Sequence, residues 1–149
     1  MSTKRSHISH LVADSDLELE VGRLLDSSRF VQAWVKNDHL DFHMHYFWRG
    51  GVRRYVPDFL VRLTNETMLV LETKGEERET HSLKVSAAQR WLLGVNGLKR
   101  YGVWCYEVVH SVEELQDLLS ERCCGWLSGE RRGCSVEEAY DLLVAEEEE

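Results

Sequence analysis

Tyr55-Val-Pro-Asp-Phe-Leu-Val-Arg-Leu-Thr-Asn-Glu-Thr-Met-Leu-Val-Leu-Glu-Thr-Lys-Gly75 contains two apolar runs, Val56–Leu63 and Met68–Leu71, around a polar break at Thr64-Asn65-Glu66-Thr67. Short β-branched runs bounded by turn residues predict strands, and so short a break predicts a hairpin. Charge gathers at its open end, with Asp58 opening the first strand and Glu72 and Lys74 closing the second. Side chains alternate along a strand, so Glu72 and Lys74 share one face and Thr73 takes the other. An antiparallel partner brings Asp58 to the same face if it lies opposite position 72 or 74, which requires a three-residue loop, Thr64–Glu66 or Asn65–Thr67. A two-residue loop at Asn65-Glu66 would set Asp58 against Thr73, on the wrong face.

Two neighbouring carboxylates repel and are stable in ionised form only with a cation between them. Hard oxygen ligands suit Mg²⁺ or Mn²⁺, with water completing the octahedron. Such an ion polarises a phosphate and activates water, and Lys74 is the candidate to orient that water or steady the transition-state charge. The competing reading is an ordinary solvated strand end, with Glu72 and Lys74 paired across the pleat.

Pro57-Asp58, thirteen residues, then Glu72-Thr73-Lys74 resembles the catalytic signature of the PD-(D/E)XK nuclease superfamily. Val31-Gln-Ala-Trp-Val-Lys-Asn-Asp-His-Leu, Arg54-Tyr-Val-Pro-Asp-Phe, Leu71-Glu-Thr-Lys-Gly and Ala88-Gln-Arg-Trp-Leu-Leu-Gly-Val-Asn extend it towards the nuclease domain that ends the restriction subunit of type III restriction enzymes. The resemblance covers residues 14–120. It implies an α/β, restriction-endonuclease-like core: a central mixed β-sheet flanked by helices in the order α-β-β-β-α-β-α, plus a C-terminal helix. It further implies Asp58, Glu72 and Lys74 as catalytic residues. Metal ligands would be Asp58, Glu72, the Thr73 carbonyl and an acid on the first helix, Glu18 by its spacing to Leu25-Asp26. Lys84 and Gln89 become candidates for substrate or water contact, since related nucleases place Lys or Gln on the helix after the motif.

The 149 residues carry 43% hydrophobic and 30% charged side chains, as one globular domain would. No apolar run approaches the roughly 20 residues of a membrane span, the N-terminus lacks the apolar core of a signal peptide, and a cytoplasmic location is expected. The net charge of −8 speaks against nucleic acid until its distribution is read. Residues 27–110 hold 12 Lys and Arg against 9 Asp and Glu, a local balance of +3; the remainder holds 6 against 17. Screening over about 8 Å makes local charge the relevant quantity for a DNA phosphate. The cysteines, at 105, 123, 124 and 134, lack zinc-site spacing and read as reduced thiols.

Residues 1–13 predict a flexible lead-in. Ser15-Asp16-Leu17-Glu18 has capping-box form and opens a helix over 16–26, so Glu18 has two readings, a cap or a metal-facing acid. Arg29–Lys36 fits a short helix or a strand. Asp41–Trp48 alternates as the first strand, and His39, His43 and His45 read as surface residues because no third ligand completes a site. Arg49-Gly50-Gly51-Val52-Arg53-Arg54 predicts a glycine turn, with Arg53 and Arg54 as candidate phosphate contacts or a solvated turn. Gly75–Glu79 reads as a charged loop. A helix follows from Thr80 or Ser82 to Gly94, with Ala87, Ala88, Trp91 and Leu92 packed; then come a strand at Tyr101–Val109 and a helix opened by Ser111. Residues 121–149 predict a loop, a helix over 135–145 and an acidic tail.

The expected function is that of a Mg²⁺-dependent endodeoxyribonuclease acting on DNA. No Gly-x-x-x-x-Gly-Lys-Ser/Thr phosphate loop occurs in the chain. A restriction-modification role would therefore borrow a helicase-type motor and a methyltransferase subunit, or a homodimer would cleave both strands. Repair, recombination and transposon-end nucleases share the fold. A non-catalytic module that docks a partner is the alternative from another class.

Overall fold

The computed structural model describes residues 1–74 and 79–124. The elements run α1 (Asp16–Ser27), β1 (Val31–Lys36), β2 (Met44–Trp48), β3 (Gly51–Tyr55), β4 (Phe59–Leu63), β5 (Met68–Thr73), α2 (His81–Gly97), β6 (Trp104–Val109) and α3 (Val112–Cys124). Four strands form a mixed sheet in the order β1-β4-β5-β6, antiparallel except for the parallel β5–β6 pair, while β2 and β3 make a separate two-stranded ribbon. The chain is thus mixed α/β, with a mixed sheet flanked by helices.

Strand alternation divides the core in two. Phe59, Val61, Leu63, Leu69, Leu71 and Val109 bury against Val21 and Leu25 of α1 and Leu115 and Leu119 of α3. Val70 and the half-buried Leu60, Trp104 and Tyr106 face the other way, towards Ala87, Ala88 and Trp91 of α2 and Met44 and Tyr55 of the ribbon. Trp91, Trp104 and Phe42 meet as an aromatic cluster with ring centroids 5.1–6.2 Å apart, so Trp91 is a packing residue.

Two strand expectations are corrected. The first strand of the main sheet is Val31–Lys36, and Asp41–Trp48 contributes β2 to the ribbon instead. A register irregularity between Val31 and Ala33 explains the ambiguity: it lets Val31 and Trp34, three apart, both bury, which imitates helical spacing. Gly51–Tyr55 is also strand and not turn. The ribbon closes through Arg49-Gly50 alone, both at positive φ (47° and 72°), the conformation a two-residue hairpin loop requires.

The first thirteen residues are ordered against the domain, which corrects the expected flexible lead-in. Leu11 is buried, and Gly22 admits it, because a Cβ at Gly22 would run into the Leu11 side chain. The N–H groups of Lys4 and Arg5 and the indole N–H of Trp34 donate to the Asp26 carboxylate at 2.9–3.1 Å. Burial pushes the Asp26 carboxyl up, but the donors from Arg5, Lys4 and Trp34 outweigh it and hold the group below its ordinary value.

Smaller boundary corrections follow the same packing. The second long helix reaches Gly97, the last strand begins at Trp104, and α3 continues to Cys124, past the expected loop start. The expected helix over 135–145, the acidic tail and most of the charged loop after Lys74 lie outside the described residues. No helix among the described residues is long and apolar enough to cross a membrane.

Candidate active site

The β4–β5 hairpin pairs Phe59 with Leu71, Leu60 with Val70, Val61 with Leu69 and Arg62 with Met68, so one further step sets Asp58 opposite Glu72. The loop is Thr64–Glu66, three residues with Glu66 at φ 69°, closed by the Leu63 N–H to the Thr67 carbonyl at 2.9 Å. This is one of the two registers that set Asp58 across from Glu72, although the Asp58 carboxylate bonds the hydroxyl of Thr73, whose side chain alternates to the other face.

Each acid is fastened by one oxygen. The backbone N–H and the hydroxyl of Thr73 both donate to Asp58 Oδ2 at 2.7 Å. The Tyr55 hydroxyl donates to Glu72 Oε2 at 2.9 Å, and the Tyr106 hydroxyl stands 2.9 Å from that of Tyr55. Asn37 holds the backbone beneath: its N–H donates to the Asp58 carbonyl at 2.7 Å, and its amide donates to the Pro57 and Phe42 carbonyls at 2.9 Å.

Pro57 has a further effect on Thr73. Antiparallel ladders alternate between pairs that exchange both backbone bonds and pairs that exchange none. The Leu63–Thr67 bond marks an exchanging pair, and counting back by twos makes Pro57 and Thr73 another. Proline has no N–H, so the ladder supplies no donor to the Thr73 carbonyl, while the Thr73 N–H turns to Asp58.

The electrostatics are those of two like charges held in poor solvent. Burial pushes Glu72 up to about 7, and the Asp58 charge adds to it against the Tyr55 bond, the Lys84 charge and, least, the backbone N–H of Asp58. Burial also raises Asp58 and the Glu18 charge pushes the same way, while the Thr73 bonds and Lys36 oppose. Burial drives the Tyr55 phenol far upward and Tyr106 up to about 12, so both stay protonated donors at neutral pH.

Glu18, 8% exposed, accepts the Asp14 N–H at 2.9 Å and pairs with Lys36 Nζ at 3.1 Å, while its own N–H reaches Ser15 Oγ at 3.1 Å. The geometry therefore displays the capping reading, and the carboxylate still acts on Asp58 through its charge. Lys74 is buried directly after β5, and its N–H donates to the Val109 carbonyl at 2.9 Å. Lys84 reaches in from α2, with Nζ 5.3 Å from the centre of the Tyr55 ring. Gln89 lies half-buried on α2 and makes no hydrogen bond to either acid. Arg53 is exposed opposite Tyr46, and Arg54 binds Asp41 at 3.0 Å and His43 at 3.0 Å, so both stand on the ribbon that Tyr55 anchors and neither touches the acids.

Tyr55, Tyr106, Lys36 and Asn37 are the site-shaping residues that pattern alone missed. Among the described residues no three His, Cys, Asp or Glu side chains gather as an ion-holding group. Mg²⁺ asks for less, since it commonly takes one or two carboxylates and keeps several waters. The cross-strand carboxylates, with Asp58 raising Glu72 by its charge, together with a carbonyl that lacks its ladder donor, fit that demand.

Comparison of the chain with protein-family models, curated proteins and solved structures finds no match in any of the three.

Proposed function

We propose that this chain is a Mg²⁺-dependent endodeoxyribonuclease module with a restriction-endonuclease-like core, hydrolysing DNA phosphodiester bonds at Asp58, Glu72 and Lys74. The observation that carries this reading is the cross-strand pair Asp58 and Glu72, both desolvated and both held by hydrogen bonds, with the Glu72 carboxyl raised to about 7 partly by the Asp58 charge. A structural ion pair would lower a carboxyl; here Asp58 raises Glu72 and Glu18 raises Asp58, and a divalent cation would relieve that accumulation of negative charge.

Asp58, Glu72 and the Thr73 carbonyl would hold the ion, and Glu18 lends charge from behind Lys36. When bound, Mg²⁺ or Mn²⁺ supplies Lewis-acid polarisation of the phosphate and a more acidic water. Lys74, two residues beyond Glu72 along the strand, positions the attacking water and offsets negative charge that grows on the phosphate. Lys84 adds positive charge on the α2 side, and the exposed Arg53 and Arg54 give the ribbon phosphate-binding capacity away from the acids. DNA is the partner this charge arrangement suits, alone or delivered by a motor subunit.

The test is incubation of supercoiled plasmid with Mg²⁺, Mn²⁺ or chelator. Nicked or linear product with either ion, absent with chelator and absent in Asp58→Ala, supports the assignment. Equal cleavage by Asp58→Ala and Lys74→Ala would end it.

Pro57→Ala gives a subtler expectation. The new N–H faces the Thr73 carbonyl and competes for it, so Mg²⁺ affinity should fall by about 10-fold, the scale on which a metal ligand's surroundings act. Stability should change by no more than about 1 kcal/mol, the usual range for relaxing a proline constraint. Calorimetric titration of Mg²⁺ together with urea melts checks both halves.

A further inference from the structure

Tyr55 is 1% exposed at the base of the ribbon, where β3 pairs it with Met44, and it packs with Val70, Ala87 and Ala88. Its ring meets that of Tyr106 edge-on, at 6.4 Å and 85°. Ribbon, sheet and α2 therefore all fix where its hydroxyl lies.

Proton bookkeeping orders the three groups. An ionised carboxylate only accepts, so the single Tyr55 proton goes to Glu72 Oε2. The Tyr55 oxygen must then accept, and the proton between the two phenols belongs to Tyr106. The chain runs one way: Tyr106 donates to Tyr55, which donates to Glu72.

We infer that Tyr55 is a positioning residue for Glu72: braced by Tyr106, it holds one carboxylate oxygen, Oε2, and so leaves the divalent ion to approach through the other, Oε1. The inference rests on the reading of Glu72 as a ligand and adds a denticity and an orienting partner to it. A glutamate at the end of a strand can turn its carboxylate about the last torsion and present one oxygen or two. With Oε2 engaged by a buried donor, rotation stops and the acid binds through one oxygen. The freedom that binding would otherwise have to remove is already gone.

The experiment uses the full chain without DNA. Mn²⁺ is titrated calorimetrically at a fixed, mildly alkaline pH into wild type, Tyr55→Phe, Tyr106→Phe and Glu72→Ala, with tyrosine near-ultraviolet difference spectra and thermal melts in chelator taken alongside. Tyr55→Phe should bind Mn²⁺ about 10–100-fold more weakly, and Tyr106→Phe should fall between it and wild type. In wild type, Mn²⁺ should perturb tyrosine absorption because the ion draws negative charge from the carboxylate that accepts the Tyr55 proton, and Tyr55→Phe should lose that signal. Glu72→Ala should lose tight binding altogether.

Wild-type affinity in Tyr55→Phe, with binding lost in Glu72→Ala, overturns the positioning role and leaves the metal site standing. Unchanged binding in Glu72→Ala, or none in wild type, overturns the site and the positioning role together. If Tyr55→Phe melts well below wild type, the Tyr106→Phe titration and the wild-type tyrosine spectrum decide: a weakened affinity with a metal-induced signal supports the role, and wild-type affinity or a silent spectrum refutes it.

Discussion

If the proposed activity holds, Asp58→Ala and Lys74→Ala should each reduce the rate of plasmid nicking in Mg²⁺ by about 10³-fold or more. Removing one charge-stabilising group from a transition state costs about 10²–10³-fold, and Asp58 does more than supply charge, because it also fixes Thr73 through two bonds of 2.7 Å. Asp58→Asn separates the two contributions. The amide oxygen still accepts from Thr73, so the hairpin end keeps its shape while the negative charge is gone. Cleavage should fall as far as in Asp58→Ala, and the melting temperature should hold or rise, since a desolvated carboxylate next to another is itself destabilising. Gel densitometry of supercoiled, nicked and linear plasmid, run beside thermal melts, measures both. Near-normal nicking by Asp58→Asn would show that charge at this position is dispensable.

Without a divalent ion, stability should fall between about pH 4.5 and pH 7. The Glu72 carboxyl is raised from an ordinary 4.5 to about 7 in the fold. The native state thus binds more protons than the unfolded chain across this window, and stability declines as pH rises through it. The contribution is fully present below about pH 4.5 and lost above about pH 7, on the order of 3 kcal/mol at most. Asp58, also raised, adds to the same slope. The groups facing Glu72 are Asp58, Lys84, Tyr55 and Tyr106, and the two phenols keep their protons throughout the window. Asp26 and Glu114, held below their ordinary values, act oppositely, and their stabilisation is lost only in more acid solution.

Melting in chelator should show the decline for wild type and a much flatter profile for Glu72→Gln. Added Mg²⁺ should reverse the trend, because the ion binds the ionised acids and its stabilisation grows with pH. Parallel slopes for wild type and Glu72→Gln would place the titration elsewhere.

The hairpin and its register were legible because two local rules converge there. Period-two alternation assigns faces, and the odd loop length is the condition for Asp58 to meet Glu72. The same alternation could not say which strand Asp41–Trp48 pairs with: periodicity reports the buried side and is silent on the neighbour, so the ribbon was read as sheet. In β1 the irregularity at Val31–Ala33 erased the alternation itself. Tyr55 was hidden for a different reason. A tyrosine in a strand reads as one more apolar residue, and only the three-dimensional meeting with Glu72 and Tyr106 reveals that its hydroxyl is engaged. Lys36 and Asn37, far from the acids in sequence, gave no signal of their own.

The ribbon joins the hairpin through a link of two residues, Val56 and Pro57, between Tyr55 and Asp58. That link works as a gauge. One inserted residue there would swing the phenol to the opposite side and uncouple it from Glu72, since each added residue inverts the direction of the side chains before it. At the far end, beyond Phe47 and Val52, residues can be added in facing pairs without disturbing the joint. The tip is therefore free to diversify, by drift or by design, while the metering at its root stays fixed.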